Sequence, residues 1–370
     1  MSKRKEDGQL NPRLTIDLTK LKRNAKFLSQ LCEENGISMT AVTKVFCADS
    51  AMMQVLKDAG DIKIFGDSRL ENIMSYPPDI LQKRLLLRLP AASDAHNVVK
   101  YCDISLNSEF ITLLALNTEA VNQNKVHDVI LMIDLGDLRE GVYYRDLETI
   151  RNIVRYVVDS KGLNLLGFGT NLTCYGSVLP TKENLTTLCE IATKMKEDFE
   201  LDEEKLLISG GNSSSLYILN TDDFPKKINN LRLGESLILG KETAFGNTFE
   251  GLETDIVILD AEIIEIANKP SMPEGKININ AFGETVTYED KGVMRRALVA
   301  VGRQDVNHEG IIPLDDGVEI IGASSDHLIV DLTNASEDIS LGSRLRFSLS
   351  YGAVLSTFTS KYVDKRYIYS

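Results

Sequence analysis

From residue 14 to about 240, short apolar runs rich in Ile, Leu and Val alternate with polar stretches of about 10 to 18 residues that favour helix. The runs fall at 38–45, 62–65, 84–89, 103–106, 128–134, 164–169, 205–209 and 230–233. Each but the last precedes a helix candidate such as 181–198. That rhythm is the signature of repeated βα units. Eight of them predict a TIM-type (β/α)8 barrel over residues 13–245, a better fit than a doubly wound open sheet.

Beyond Gly240 the pattern changes. Runs at 256–266, 298–301, 317–321, 327–332 and 344–349 are separated by turn residues, and few helical periods occur. This predicts a mostly-β domain over 246–370, with 267–275 and its two prolines as a loop inside it. The first twelve residues, MSKRKEDGQLNP, are charged and read as a flexible tail (1–12) with no signal peptide. No apolar run approaches the roughly 20 residues that a membrane helix needs.

Composition narrows the function classes. The 370 residues are 43% hydrophobic, enough for a core without staples. Lys plus Arg number 41 against 54 Asp plus Glu, a net charge of -13, the opposite of the balance expected for a nucleic-acid or anionic-membrane binder. The five cysteines form no CxxC pair and are odd in number, so neither a disulfide framework nor a structural zinc site is predicted. The expectation is a cytoplasmic protein with a small-molecule substrate, no nucleic-acid partner and no membrane.

In such a barrel the chemistry sits at the C-terminal ends of the strands. Lys44, in AVTKV, closes the first run. A lysine among apolar residues is costly to bury unless functional or paired, and a desolvated lysine suits Schiff-base chemistry. Taken alone, it reads more readily as a strand-end lysine reaching solvent. After the seventh run comes Ser209-Gly210-Gly211-Asn212-Ser213-Ser214-Ser215, and the eighth leads into Arg232-Leu233-Gly234-Glu235-Ser236. Glycines let backbone N–H groups approach an anion, serines add donors, and barrels commonly bind phosphate after strands seven and eight. Each motif alone could be a turn or a cap. Together with Lys44 they point to pyridoxal 5'-phosphate (PLP) held at both ends.

These motifs, with RLTIDLTKLKRNAKFL, GDSRLENI, SLNSE, IDLGDLREGV, GFGTNLTCYG, LRLGESLILG and, more distantly, VGRQDV and SSDHLIVDLT, resemble the PLP-dependent alanine racemase superfamily. The resemblance is closer to its ornithine racemase-like amino-acid racemases. It implies that Lys44 carries the cofactor and exchanges the substrate α-proton on one face. It implies that Ser213 or Ser214, with backbone N–H groups near Gly234 and Glu235, binds the phosphate, and that Arg232 faces the pyridine nitrogen. An arginine does not give up its proton at neutral pH, so Arg232 would leave that nitrogen unprotonated and favour a racemase over a decarboxylase. Asn171 stands where alanine racemases carry a histidine contacting this arginine, and Asn212 precedes the phosphate serine as it does there. Either asparagine could equally cap its own turn. Arg139 matches the region of a substrate-side arginine, with one extra residue shifting the register.

The departures from the pattern bear on substrate. Alanine racemases supply a tyrosine from the partner subunit in a Gly-Tyr-x-Asp motif, whereas this chain has Gly302-Arg303-Gln304-Asp305. Arg303 is a poor proton shuttle and a better carboxylate clamp. Asp305, His308, Cys174 and Tyr351 are the candidates for the opposite-face acid/base. Ala48 lies near the place of a second tyrosine, one that touches the phosphate. The resemblance thus implies a racemase of ornithine or a related basic amino acid, with Asp137, Glu140 or Glu235 pairing with the distal ammonium. It also implies a head-to-tail homodimer with shared active sites. A PLP-dependent decarboxylase and a non-catalytic PLP-binding protein are the alternatives.

Overall fold

The computed structural model describes residues 12–285 and 287–370; the tail expected over 1–12 lies, but for Pro12, outside the described residues. The chain forms two compact units, one of Leu18–Thr254 and one of Asp255–Ser370 with the described residues up to Asp17.

In the first unit eight parallel strands close on themselves: Ser38–Val42, Ile64–Asp67, Lys83–Leu86, Ile104–Asn107, His127–Asp134, Leu163–Gly169, Leu207–Ser209 and Asn230–Leu233. They are called barrel strands one to eight. Strand eight pairs with strand one, Arg232 opposite Thr40 and Leu233 opposite Ala41, which closes the barrel. Ile64, Leu85, Ile104, Leu106, Ile130 and Met132 pack together as a buried cluster contributed by strands two to five. The helices bury one stripe. In Lys182–Phe199 the buried positions Leu185, Leu188, Cys189, Ile191, Ala192 and Met195 recur at three and four residues, and Thr181 starts the helix with a capping box to Asn184.

The boundaries differ from the sequence reading where turns intervene. The first strand stops at Val42, and Lys44–Phe46 form a 3-10 turn ending in two left-handed residues, Cys47 (φ 50) and Ala48 (φ 54). Lys44 therefore stands on a sharp turn just beyond the strand. Strand two runs later than expected, to Asp67, and strand three ends earlier, at Leu86. After strand seven comes the short 3-10 segment Ser213–Ile218, and after strand eight the five-residue helix Glu235–Leu239, where no helix was expected.

The second unit is an antiparallel sheet centred on Val257–Pro270, which pairs with Val293–Val299 and Arg344–Leu349. Leu328–Asp331 and Glu319–Ala323 extend one side, and Ile311–Pro313 adds to Arg344–Leu349. Residues 267–270, read as a loop, continue the long strand, because Pro270 sits at its end, where a missing N–H costs least. Arg13–Asp17 pairs antiparallel to Val257–Pro270 and parallel to Asp364–Ile368, so it joins this sheet. The helix Tyr351–Thr359, capped by Ser350, was not foreseen.

Strands five and six shift register between Val129 and Ile130, where Gly167 passes so close that an added Cβ would lie 1.9 Å from the Leu207 carbonyl oxygen. Gly167→Ala is expected to cost about 3 kcal/mol or more in urea unfolding, since backbone atoms must move. Gly322→Ala, with nothing within 4 Å of the new methyl, should stay within about 1 kcal/mol of the parent.

Candidate active site

Thr43, immediately before Lys44, is fixed from three sides. Its N–H donates to the Gly66 carbonyl at 2.8 Å, and its hydroxyl donates to Asp67 Oδ2 at 2.7 Å. With that proton committed, Thr43 Oγ1 accepts from the Tyr76 hydroxyl at 2.9 Å. Asp67 Oδ1 accepts from the Arg69 N–H at 2.9 Å and from Asn72 Nδ2 at 3.0 Å. Burial raises the Asp67 carboxyl while these hydrogen bonds oppose the rise. The turn that presents half-buried Lys44 is thereby locked to strand two.

At the ends of strands seven and eight, Ser213, Ser214 and Ser215 are all buried. Asn212 accepts from the Ser214 N–H at 2.8 Å and donates to the Leu172 carbonyl at 3.0 Å. Ser213 and Ser236 hydroxyls meet at 3.0 Å, which ties the two loops together. Ser214 Oγ is buried without a partner, a cost that a bound acceptor would remove. Gly211 takes φ +110, which favours glycine, and at Gly234 an added Cβ would lie 2.9 Å from Val42 Cβ, so neither position readily accepts a side chain. An unsatisfied hydroxyl beside two glycine-rich turns suits a phosphate group.

Arg232 is buried, and its guanidinium is held by strands six and seven. Nη1 donates to Ser209 Oγ at 2.5 Å; Nη2 donates to the Thr170 carbonyl at 2.6 Å and to Asn171 Oδ1 at 2.8 Å. Ser209 passes its own proton to Asn230 Oδ1 at 2.6 Å. Desolvation lowers the guanidinium pKa to about 10, with Glu140 acting in the opposite sense, so the group stays cationic at neutral pH. Asn171 Nδ2 donates to Glu140 Oε1, and Arg139 pairs with the same carboxylate. Burial alone would raise Glu140, but Arg139, Asn171 and Arg232 outweigh it and hold the carboxyl below its usual range. Arg139 Nη1 also donates to Cys174 Sγ at 2.5 Å. This donor set suits the nitrogen end of a pyridine ring.

The acidic candidates separate. Asp137 is buried and accepts the backbone N–H groups of Tyr175 at 2.9 Å, Val178 at 3.1 Å and Cys174 at 3.4 Å. These three bonds give it a structural task, stapling the loop after strand six. Burial pushes the Glu235 carboxyl up to about 7, with Lys44 and Lys241 pulling the other way. Ser209, Ser236 and Thr170 were not singled out as partners, since only strand pairing shows which side chain each hydroxyl or carbonyl serves.

Arg303 and Asp305 belong to the β unit. Arg303 makes a two-pronged pair with Glu284 at 2.8 and 2.9 Å and lies 4.0 Å over the Phe282 ring. Asp305 Oδ2 accepts from the Gly302 N–H at 2.9 Å, and burial raises its carboxyl. Burial, aided by Arg303, lowers the nearby His308.

Residues 16–241 match the alanine racemase N-terminal domain family. An ornithine racemase of Acetoanaerobium sticklandii is 44% identical over 354 residues, 96% of this chain and 99% of that protein. A lysine racemase of Thermotoga maritima is 35% identical over 357 residues, 96% and 98% of the two chains. An alanine racemase from Streptomyces coelicolor shares the fold with a TM-score of 0.73 at 17% identity, over 97% of this chain and 98% of that one. So does an alanine racemase from Bartonella henselae with covalently bound pyridoxal phosphate, with a TM-score of 0.71 at 16% identity over 97% and 100%.

Glu235 gives a pH test. With its folded pKa raised from 4.5 to about 7, folding carries no penalty well below pH 4.5, and the penalty grows as pH rises to about 7. Glu235→Gln should therefore stabilise the cofactor-free chain at pH 8, by at most about 3 kcal/mol, and leave it nearly unchanged at pH 4. Urea unfolding at the two pH values checks this; equal midpoints at pH 8 would contradict the raised pKa.

Proposed function

Because the chain belongs to the alanine racemase family, we propose that it is a PLP-dependent racemase that interconverts the L and D forms of ornithine or a related basic amino acid. The observation that carries the reading is the buried Arg232 guanidinium in the same barrel as Lys44, with a phosphate-suited loop between them in chain order.

Bound PLP supplies an electron sink that acidifies the substrate α-carbon. Ser213, Ser214 and Asn212, with the backbone at Gly234 and Glu235, hold its phosphate. Lys44 Nζ would anchor it and would take or return the α-proton on one face. Arg232 would donate to the ring nitrogen and, as a group that keeps its proton, would leave that nitrogen unprotonated. Such a donor would favour return of the proton to the α-carbon. Arg139 serves the substrate side. Cys174 is the opposite-face candidate of the barrel unit. Arg303, as a carboxylate clamp, and Asp305, as an acid/base, enter through a homodimer in which the β unit of one chain completes its partner's site. Among the described residues no helix is long and apolar enough to cross a membrane.

Proton NMR of the PLP-loaded chain in deuterium oxide, with a panel of L-amino acids, tests the reading. Ornithine or lysine should lose the α-proton signal, keep the carboxylate and yield the D form, and Lys44→Ala should lower the rate roughly 10²- to 10⁴-fold. Carbon dioxide release would favour the decarboxylase, and a yellow protein that exchanges no α-proton would favour the carrier.

A further inference from the structure

Asn171 stands between two charges. Its Oδ1 accepts from Arg232 Nη2 at 2.8 Å, and its Nδ2 donates to Glu140 Oε1. An asparagine amide can turn half a revolution at little steric cost, so its partners decide which atom faces which way. A turned amide would set NH2 against the guanidinium and oxygen against the carboxylate, two repulsive contacts. Glu140 therefore dictates that Asn171 shows an acceptor to Arg232.

The carboxylate is itself placed with care. Gly141, at φ +122, brings the chain back onto the end of strand five, where an added Cβ would lie 2.5 Å from the Asp134 nitrogen. Val142 and Tyr143 then pair with Ile133 and Asp134, and Arg139 binds Glu140 from the other side. The result is a relay, Glu140 to Asn171 to Arg232, that ends on a negative charge outside the ring-facing guanidinium.

Resting on the racemase reading, we propose that Glu140 is a positioning residue for Arg232: through Asn171 it fixes the guanidinium's orientation and balances its charge, and so sets how the ring nitrogen is held. Glu140 touches no reacting atom. Its effect on Arg232 passes through Asn171, so for that effect the charge matters more than the identity of the residue that carries it.

The test uses the full-length, PLP-loaded chain and compares wild type, Glu140→Gln and Glu140→Gln/Asn171→Asp. The double variant moves the carboxylate one step inward, directly against Arg232. Glu140→Gln should keep its melting temperature and its cofactor, shift the cofactor absorption band, and lose about tenfold in kcat with little change in KM for L-ornithine. The double variant should recover both the band and most of kcat. Wild-type kcat and absorbance in Glu140→Gln would overturn the inference, as would a loss that the double variant does not recover, which marks a merely structural role. Should Glu140→Gln not fold, Asn171→Ala cuts the relay at its middle, and wild-type kcat and absorbance there overturn it equally. A wild-type chain that neither binds PLP nor exchanges α-protons overturns the racemase reading itself, and this inference with it.

Discussion

A guanidinium enclosed at the end of a barrel must be given acceptors, or its burial would cost several kcal/mol. Arg232 is that group, and the ends of strands six, seven and eight are arranged to meet it. Strand seven offers the Ser209 hydroxyl, and the segment after strand six offers the Thr170 carbonyl and the Asn171 amide. The loop after strand five contributes Glu140 beyond Asn171. A side chain held this way is a rigid, permanently charged donor, which is what distinguishes the proposed chemistry from that of an enzyme with a carboxylate in its place.

The remainder of the site follows from the same closure of the barrel. Because strand eight returns to strand one, the glycine-rich turn at Gly234 comes against Val42, close in sequence to Lys44. Strand two supplies Asp67, which with Tyr76 immobilises Thr43 and hence the turn that carries the lysine. Arg232, Thr43 and the Ser213 loop are each held by groups from other strands or the loops that follow them, so their geometry is a property of the barrel rather than of any one loop.

Much of this was legible in the chain. The barrel declared itself because buried parallel strands read as continuous apolar runs with helix-length spacers, and Lys44, Ser213, Ser214 and Arg232 became candidates by standing at or just after the ends of those runs. Arg13–Asp17 did not, since a short alternating strand carries no mark of the distant partners it pairs with. Nor did the extension of Val257–Pro270 through Pro270, where ladder bonds overrule a local turn signal. Glu140 and Asp137 looked alike as acidic groups at a barrel mouth. Only the fold shows that Asp137 accepts backbone N–H groups while Glu140 accepts from Asn171, which in turn meets Arg232.

The central claim is that Arg232 holds the cofactor's ring nitrogen as an unprotonated acceptor. Nitrogen-15 NMR of the full-length chain loaded with PLP labelled at the ring nitrogen tests it directly. The account predicts the chemical shift of a neutral, hydrogen-bonded pyridine that does not move across the pH range in which the protein stays folded. A pyridinium shift at neutral pH would contradict it.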